Sequence, residues 1–447
     1  MNYDAAVRYL LTLGRELAAP TQAAAAKFDL ENITVLAERL GRPDRAYPSA
    51  HIAGTNGKGS TAAFLESILG HAGFRTGLYT SPHLERINER MRINAEEISD
   101  KSFAEIFTRL QALIEELLAE HKLRAHPTYF ECVTAMGFEY FARERVEFGV
   151  FEVGLGGRLD ATNILLPAVT VITRIDFDHE NFLGHSLKEI AGEKAGILKP
   201  GVAVVVAEQR SEASEVILAR AKQLGSPVID TTRAIQITQE SSQNGFFRAS
   251  VVELSSGDSF EIAPSLSGRF QLQNAINALA AARQLVERGF RISASDITEG
   301  IAKTVWPGRL EKLQSNPDVY LDGAHNPGAA RELAQFLGQN FAGRKIWLIY
   351  GALRDKAVDE VAGQLFPHAA EVIFTEPRTS RAISAARLAE IASHHALSFA
   401  VISSAEQALD QALAEAAPSD AVFVTGSLYL VGQLRHYWKQ REQVAAR

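Results

Sequence analysis

The stretch His51-Ile52-Ala53-Gly54-Thr55-Asn56-Gly57-Lys58-Gly59-Ser60-Thr61 decides how the rest of the chain is read. A short apolar run enters a glycine-rich turn. A lysine and two hydroxyls then open a helix over Thr61–His71, where Phe64, Leu65, Ile68 and Leu69 share one face. Glycines let successive backbone N–H groups point into one hollow, and the helix N-terminus adds positive potential, so the turn predicts a phosphate site. Lys58 is placed against the β- and γ-phosphates, which points to ATP. The usual pattern has glycine five residues before Gly57, where this chain has Ile52, and Ser or Thr after the lysine, where it has Gly59. A Mg²⁺ ion accompanying the nucleotide therefore needs oxygen ligands from elsewhere. Ser81, in Tyr79-Thr80-Ser81-Pro82-His83 at the end of the next expected strand, is a candidate.

Working outward, β-rich runs alternate with helical patterns. Ala50–Ala53, Thr76–Thr80, Phe148–Val153, Val169–Arg174 and Ala203–Ala207 predict strands of a mostly parallel sheet. Arg233–Pro264 differs. There Ile235–Thr238, Phe246–Leu254 and Phe260–Ile262, with an Asn244-Gly245 turn, predict a small antiparallel meander attached to that sheet. Helix is expected over Leu272–Arg288, and the run Ala23–Ala26 also reads as helix. Strands expected at Val319–Asp322, Ile346–Tyr350, Val372–Thr375 and Val422–Thr425 restart the rhythm. The break is placed near Ser293–Ile301, ahead of Trp306-Pro307-Gly308. The predicted fold is α/β: a P-loop-type sheet domain with the meander over 1–298, then a smaller Rossmann-like domain over 299–447.

Composition narrows the function. The 447 residues carry 46 Lys+Arg against 53 Asp+Glu, a net charge of −7, which disfavours nucleic acid as a partner. A hydrophobic fraction of 46% with 22% charged residues is that of a globular protein. Cys132 is the single cysteine, so no intramolecular disulfide and no Cys-built metal site is expected; in its helix it reads as a small buried residue. The start, Met1-Asn2-Tyr3-Asp4, does not read as a signal peptide, and no run is long enough to span a membrane. The expectation is a soluble, cytoplasmic protein.

Further motifs sharpen this. Phe151-Glu152-Val153-Gly154-Leu155-Gly156-Gly157-Arg158-Leu159-Asp160-Ala161-Thr162-Asn163 ends one strand in a carboxylate and a glycine turn. Ile172-Thr173-Arg174-Ile175-Asp176-Phe177-Asp178-His179 ends another, and Glu193-Lys194-Ala195-Gly196-Ile197 follows a helix. With Gly54–Ser60 and the motifs below, from Asp29-Leu30 to Gly426-Ser427, the chain resembles the folylpolyglutamate synthase/dihydrofolate synthase family of Mur-ligase-like ATP-dependent amide ligases.

That resemblance implies site residues. ATP would be held by Asn56, Gly57, Lys58, Gly59 and Ser60, by Asn274 in Arg269-Phe270-Gln271-Leu272-Gln273-Asn274-Ala275, by Arg309 in Trp306-Pro307-Gly308-Arg309-Leu310-Glu311, and by Asp322. His325, in Leu321-Asp322-Gly323-Ala324-His325-Asn326-Pro327, would stand beside the phosphates as a catalytic residue with Lys58 and Lys194. Ser81, Glu152 and His179 would hold magnesium, two Mg²⁺ ions in all; from residue chemistry alone His179 is a loop histidine, and Asp176 or Asp178 the better ligand. In the family Lys194 carries a carbamate; read by itself it is a solvated lysine at a helix end. The pterin would meet Thr128, Tyr129, Phe130 and Glu131, with Leu159, Asp160 and Ala161. The rings of Tyr129 and Phe130 suit stacking on a flat heterocycle, and equally the apolar start of a helix.

The implied reaction is ATP-dependent ligation of L-glutamate to a folate, and to dihydropteroate, through an acyl phosphate, by a monomer. Lys27-Phe28-Asp29-Leu30 departs from the family pattern, which often has glycine where Asp29 stands, near the dihydropteroate site. A peptidoglycan Mur ligase would use the same chemistry but normally adds an N-terminal domain; some 50 residues precede the phosphate loop. A non-ligase P-loop protein would need no second domain.

Overall fold

The computed structural model describes residues 1–13 and 29–445; Ala23–Ala26, Lys27 and Phe28 lie outside the described residues. The first sheet comprises β1 (Ser49–Ala53), β2 (Thr76–Tyr79), β3 (Met91–Ile93), β4 (Glu96–Glu97), β5 (Phe148–Glu152), β6 (Val169–Ile172), β7 (Val204–Val206) and β8 (Val228–Asp230). Their order is β4-β3-β2-β5-β1-β6-β7-β8. The run from β2 to β8 is parallel, with β3 and β4 added antiparallel at one edge. β1 and β5 are buried along their whole length, as expected for strands covered on both faces.

Helices Lys58–His71, Arg269–Glu287 and Ala294–Lys303 cover one face, packing Phe64, Ile68, Leu272, Leu279, Ile297 and Ile301 into one core. The meander of β9 (Ile235–Gln243), β10 (Phe246–Glu253) and β11 (Ser259–Ile262) forms a separate three-stranded sheet, and its Phe247, Val251 and Phe260 enter that core. Its hairpin turns at Asn244 (φ 53°) and Gly245 (φ 81°), the left-handed pair that Asn-Gly favours. On the opposite face, helices Tyr3–Thr12, Glu31–Arg39, Asp100–Ala119 and Tyr129–Arg143 enclose Phe103, Phe138 and Phe151. Cys132 sits there fully buried, and burial pushes its thiol up, away from nucleophilic use.

The second sheet comprises β12 (Glu311–Gln314), β13 (Asp318–Leu321), β14 (Ile346–Tyr350), β15 (Glu371–Glu376), β16 (Phe399–Ser404) and β17 (Ala421–Thr425), in the order β12-β13-β17-β14-β15-β16. All neighbours are parallel except β12 against β13. The expected division at 298/299 falls inside helix Ala294–Lys303. That helix packs on the first domain so closely that Gly300 lies against the backbone of Ile68. The chain passes to the second sheet through Thr304–Gly308, so the change in composition near Ser293 marks a helix start, capped by Ser293, rather than a domain edge.

Ile301→Ala is expected to destabilise the protein by about 2–5 kcal/mol, because Ile301 is fully buried in the core beneath the first sheet. Denaturant unfolding followed by circular dichroism checks it; a change below about 1 kcal/mol would detach this helix from the first domain's core.

Candidate active site between the two sheets

Parallel strands β2, β5, β1 and β6 lie side by side and all end at one edge. The register pairs Tyr79 with Phe151, Ile52 with Glu152 and Ala53 with Ile172. Ser81, Glu152, the Gly54–Ser60 loop and the Arg174–His179 loop therefore leave the sheet at one level. The chain leaves β1 for β2 on one side and later for β6 on the other, which makes β1 the switch point where ligands of such sheets bind.

The phosphate loop is fixed by its neighbours. Thr55 and Asn56 donate backbone N–H groups to Arg174 O, and Thr55 Oγ1 donates to Asp176 O at 2.9 Å. Gly57, at φ 89°, has Asn274 Oδ1 only 2.2 Å from where a Cβ would stand. Gly59 faces Trp306 and Glu152, whose Oε2 lies 3.4 Å from an added Cβ. That accounts for the missing hydroxyl after the lysine: Trp306 and the Glu152 carboxylate fill the space. Lys58 Nζ donates to Thr55 O at 3.0 Å, and burial pushes its pKa down against the pull of Glu152 and Asp178. Glu152 is buried, and its Oε2 accepts the Ser81 N–H at 3.2 Å.

Lys194 differs most from its plain reading. It is 4% exposed, and its Nζ donates to Gly54 O at 2.7 Å, directly under the phosphate loop. Burial, reinforced by Lys58, lowers its pKa to about 7. The solvated helix-end reading is thereby overturned. The side chain of helix Leu187–Ala195 points inward, which a nine-residue helix with little amphipathic pattern does not reveal.

From the second domain, Arg309, Asp322 and His325 enter the same space. Asp322 accepts the N–H groups of Leu310 and Ala324 at 2.9 Å each, so its carboxylate shapes the strand exit as well as facing the cavity. His325 Nδ1 donates to Gly323 O at 2.7 Å and turns Nε2 toward Asp178, 3.7 Å away. Asn274 donates to Gln271 Oε1 at 3.0 Å.

Sequence reasoning missed one of the links between the two halves, beside those of Glu85 with Arg435 and Arg174 with Glu332. Asp178 accepts from Lys356 Nζ at 2.8 Å and from Asn326 Nδ2 at 3.3 Å, both second-domain groups. The Lys356 side chain is 7% exposed and that of Asp178 is 11% exposed. Burial alone would raise the Asp178 pKa, but Lys356 first and then the hydrogen bond from His325 hold it well below the usual range. Asn56 and Asn326 exchange amide hydrogen bonds at 3.2 and 3.0 Å, tying the phosphate loop to the second domain. The signal was present: Arg354-Asp355-Lys356 follows β14, at the same kind of strand edge. His179, at φ 52°, has its pKa lowered to about 3 by burial and so is neutral, with Nε2 3.4 Å from Lys356 Nζ.

A cavity of about 370 Å³ between the domains is lined by Asn56–Ser60, Ser81, Glu152, His179, Lys194, Asn274, Arg309, Asp322 and His325. The residues expected at the pterin lie apart from its lining. Thr128 and Glu131 form a reciprocal cap on helix Tyr129–Arg143, and Tyr129 is buried in the core. Phe130 packs on Gly154, which does line the cavity. Asp160 is buried and accepts the N–H groups of Gly154 and Leu155 at 3.0 Å each, while Leu159 is half-buried and Ala161 buried. Asp29 Oδ1 accepts the Glu31 N–H at 2.9 Å at the start of helix Glu31–Arg39.

Residues 52–282 match the family described as Mur ligase middle domain, and 308–428 that described as Mur ligase, glutamate ligase domain. The chain thus has the two-domain body of a Mur-type ligase. It is 36% identical over 415 residues to the dihydrofolate synthase/folylpolyglutamate synthase of Bacillus subtilis, covering 90% of this chain and 92% of that protein. The Mycobacterium tuberculosis folylpolyglutamate synthase complexed with ADP superimposes with a TM-score of 0.87 at 30% identity, covering 98% of this chain and 99% of that one. The E. coli FolC structure in complex with DHPP and ADP gives 0.86 at 28% identity, over 99% of both chains. The chain belongs to the folylpolyglutamate synthase/dihydrofolate synthase family.

Lys356→Ala leaves the Asp178 carboxylate buried without its cation, a loss of about 3–5 kcal/mol where the surroundings cannot relax. Because the pair spans the domains, opening relieves it. Small-angle scattering of the variant is expected to show a larger radius of gyration than the parent, and Lys356→Arg an intermediate one. An unchanged profile for Lys356→Ala would remove the Asp178–Lys356 pair from the contacts that set the domain arrangement.

Proposed function

We propose that the interdomain cavity is where this enzyme, an ATP-dependent ligase that joins L-glutamate to folates, carries out ligation, and that dihydropteroate is a second acceptor. One observation carries the reading. A phosphate loop on the first domain faces Arg309, Asp322 and His325 of the second across one cavity, with the buried Lys194 beneath the loop. A nucleotide switch has no need of the second half.

A carboxylate is a poor electrophile, because its leaving group would be oxide. In the proposed sequence the substrate carboxylate oxygen attacks the γ-phosphorus, the bond to ADP breaks, and an acyl phosphate forms. The glutamate amine then attacks the carbonyl carbon, the carbon–oxygen bond to phosphate breaks, and the amine loses a proton. The chain's part is positioning and charge. Backbone N–H groups of Gly57–Ser60 hold the phosphates beside the Asn56 side chain, Lys58 and Arg309 neutralise the γ-phosphate, Asn274 and Asp322 orient the nucleoside, and His325 stands beside the phosphates. Acceptor carboxylates reach this point along the turn at Gly154, where Phe130 and the Leu159–Ala161 segment bound the approach.

For magnesium, Glu152 and Ser81 fit: a carboxylate and a hydroxyl on adjacent strand ends are the oxygen donors a hard cation takes. His179 is neutral and so has a lone pair to offer, although its Nε2 faces Lys356. When bound, the metal supplies charge neutralisation and alignment of the phosphates. Lys194 is proposed to react with CO₂: its neutral amine forms the nitrogen–carbon bond and loses a proton, leaving a carbamate anion. Burial makes that amine available near pH 7.

Incubation with ATP, Mg²⁺ and glutamate, offering dihydropteroate or tetrahydrofolate separately, tests the reading. Mass analysis is expected to show one glutamate added to each acceptor; no glutamylated product from either would reject it. Lys194→Ala is expected to lose turnover, with partial recovery when a short carboxylic acid is supplied. At fixed dissolved CO₂, parent activity should rise with pH through about 7, because deprotonation of Lys194 precedes carbamate formation. Turnover of Lys194→Ala near that of the parent would remove the lysine from the mechanism.

A further inference from the structure

Away from the cleft, Asp359, His394 and His395 bring one carboxylate oxygen and two imidazole nitrogens within 4.8 Å of one another. We propose that these three residues form a binding site for a zinc-class divalent cation on the exposed surface of the second domain.

The spacing is that of a coordination shell. Asp359 Oδ1 lies 3.0 Å from His395 Nε2 and 3.3 Å from His394 Nε2. A tetrahedral zinc ion with bonds of about 2.0–2.1 Å sets neighbouring ligand atoms roughly 3.3 Å apart. Both histidines thus present the same ring nitrogen to the same carboxylate oxygen, with ring centroids 4.0 Å apart. Consecutive residues seldom turn side chains to one point; here the short 3₁₀ turn Ser393–His395 allows it.

The support is built on both sides. Asp359 stands in the first turn of helix Val358–Leu365. Gly363, one turn further on, lets the His395 ring lie close, since a Cβ there would come within 3.3 Å of His395 Cε1. Asp359 and His395 are 36 positions apart in the chain, so a cation joining them clips the helix to the turn that leads into β16, the edge strand of the second sheet. The Asp359 and His394 side chains are 61% and 60% exposed, which leaves the site open to solvent and to water as a fourth ligand. Two imidazoles and a carboxylate select zinc, nickel or copper over Mg²⁺ and Ca²⁺, which prefer oxygen alone, so the magnesium used in ligation does not compete.

The test uses the full chain, free of any histidine tag and treated with chelator, titrated with Zn²⁺ against a chromophoric zinc indicator in excess Mg²⁺. The parent is expected to bind one equivalent at this site, and His394→Ala/His395→Ala to bind at least about tenfold more weakly, with Asp359→Ala in between. Zn²⁺ should raise the thermal unfolding midpoint of the parent and leave that of the double variant unmoved. Ligase activity in Mg²⁺, unaffected by these surface changes, reports that the variants fold. Equal zinc affinity in parent and double variant, or zinc binding that disappears only in His179→Ala, would overturn the proposal.

Discussion

Parallel strands must all leave a sheet at the same edge, and here that constraint organises the chemistry. Because β2, β5, β1 and β6 are hydrogen-bonded neighbours, four loops far apart in sequence reach one level within a few strand widths. A hydroxyl, a carboxylate, a phosphate loop and an Asp-His pair are thereby gathered without any of them contacting the others in sequence. The buried strands beneath have full backbone pairing, so the loops rest on a base that has little freedom to shift. Lys194 extends the same logic by one layer, since its ammonium is held by the carbonyl of Gly54, the residue that follows β1.

The electrostatics follow from burial. The chain carries a net charge of −7, yet its cleft draws in Lys58, Lys194, Arg309 and Lys356 against Glu152, Asp178 and Asp322. Asp178 is committed to Lys356, and Asp322 largely to backbone N–H groups. Lys58 and Arg309 then remain as the cations that face the phosphate loop from the two domains. Lys58 and Lys194 repel one another and are both pushed toward the neutral form by burial. An anion on Lys194 turns that repulsion into attraction, and so favours the charged form of Lys58 that a phosphate needs.

How far the sequence disclosed this depended on whether the signal was local. The phosphate loop was legible because backbone geometry requires its glycines, and Gly57 and Gly59 are confined by Asn274, Trp306 and Glu152. The meander was legible from Asn244-Gly245, although β9 runs on through polar residues to Gln243. Short β8 and the edge strand β16 escaped notice because neither reads as a continuous buried run. Thr128-Tyr129-Phe130-Glu131 carried a capping-box spacing that predicts a helix start, and the structure uses it so. Lys194 and Lys356 were opaque for another reason. Both are long cations whose burial depends on partners 140 and 178 positions away, and no periodic pattern encodes such a partner.

The division of the site between two bodies has a consequence for the order of events. Arg309, Asp322 and His325 face the phosphate loop because the second domain is held against the first, by Asp178 with Lys356 and Asn326, by the Asn56–Asn326 pair, by Glu85 with Arg435 and Lys439, and by Leu84 packed on the second domain's core. The Asn56 amide belongs to the phosphate loop itself, so the loop that lines the cavity also contacts the second domain. In the proposed reaction a nucleotide on that loop would therefore be coupled to the contact between the domains. An acyl phosphate is hydrolysed wherever water can reach it, so in the proposed sequence its survival until glutamate attacks would require the two domains to exclude water before it forms. With Arg309 supplied by the second domain, the proposed phosphoryl transfer would lack one of its cations until the domains meet, which would place domain contact before chemistry.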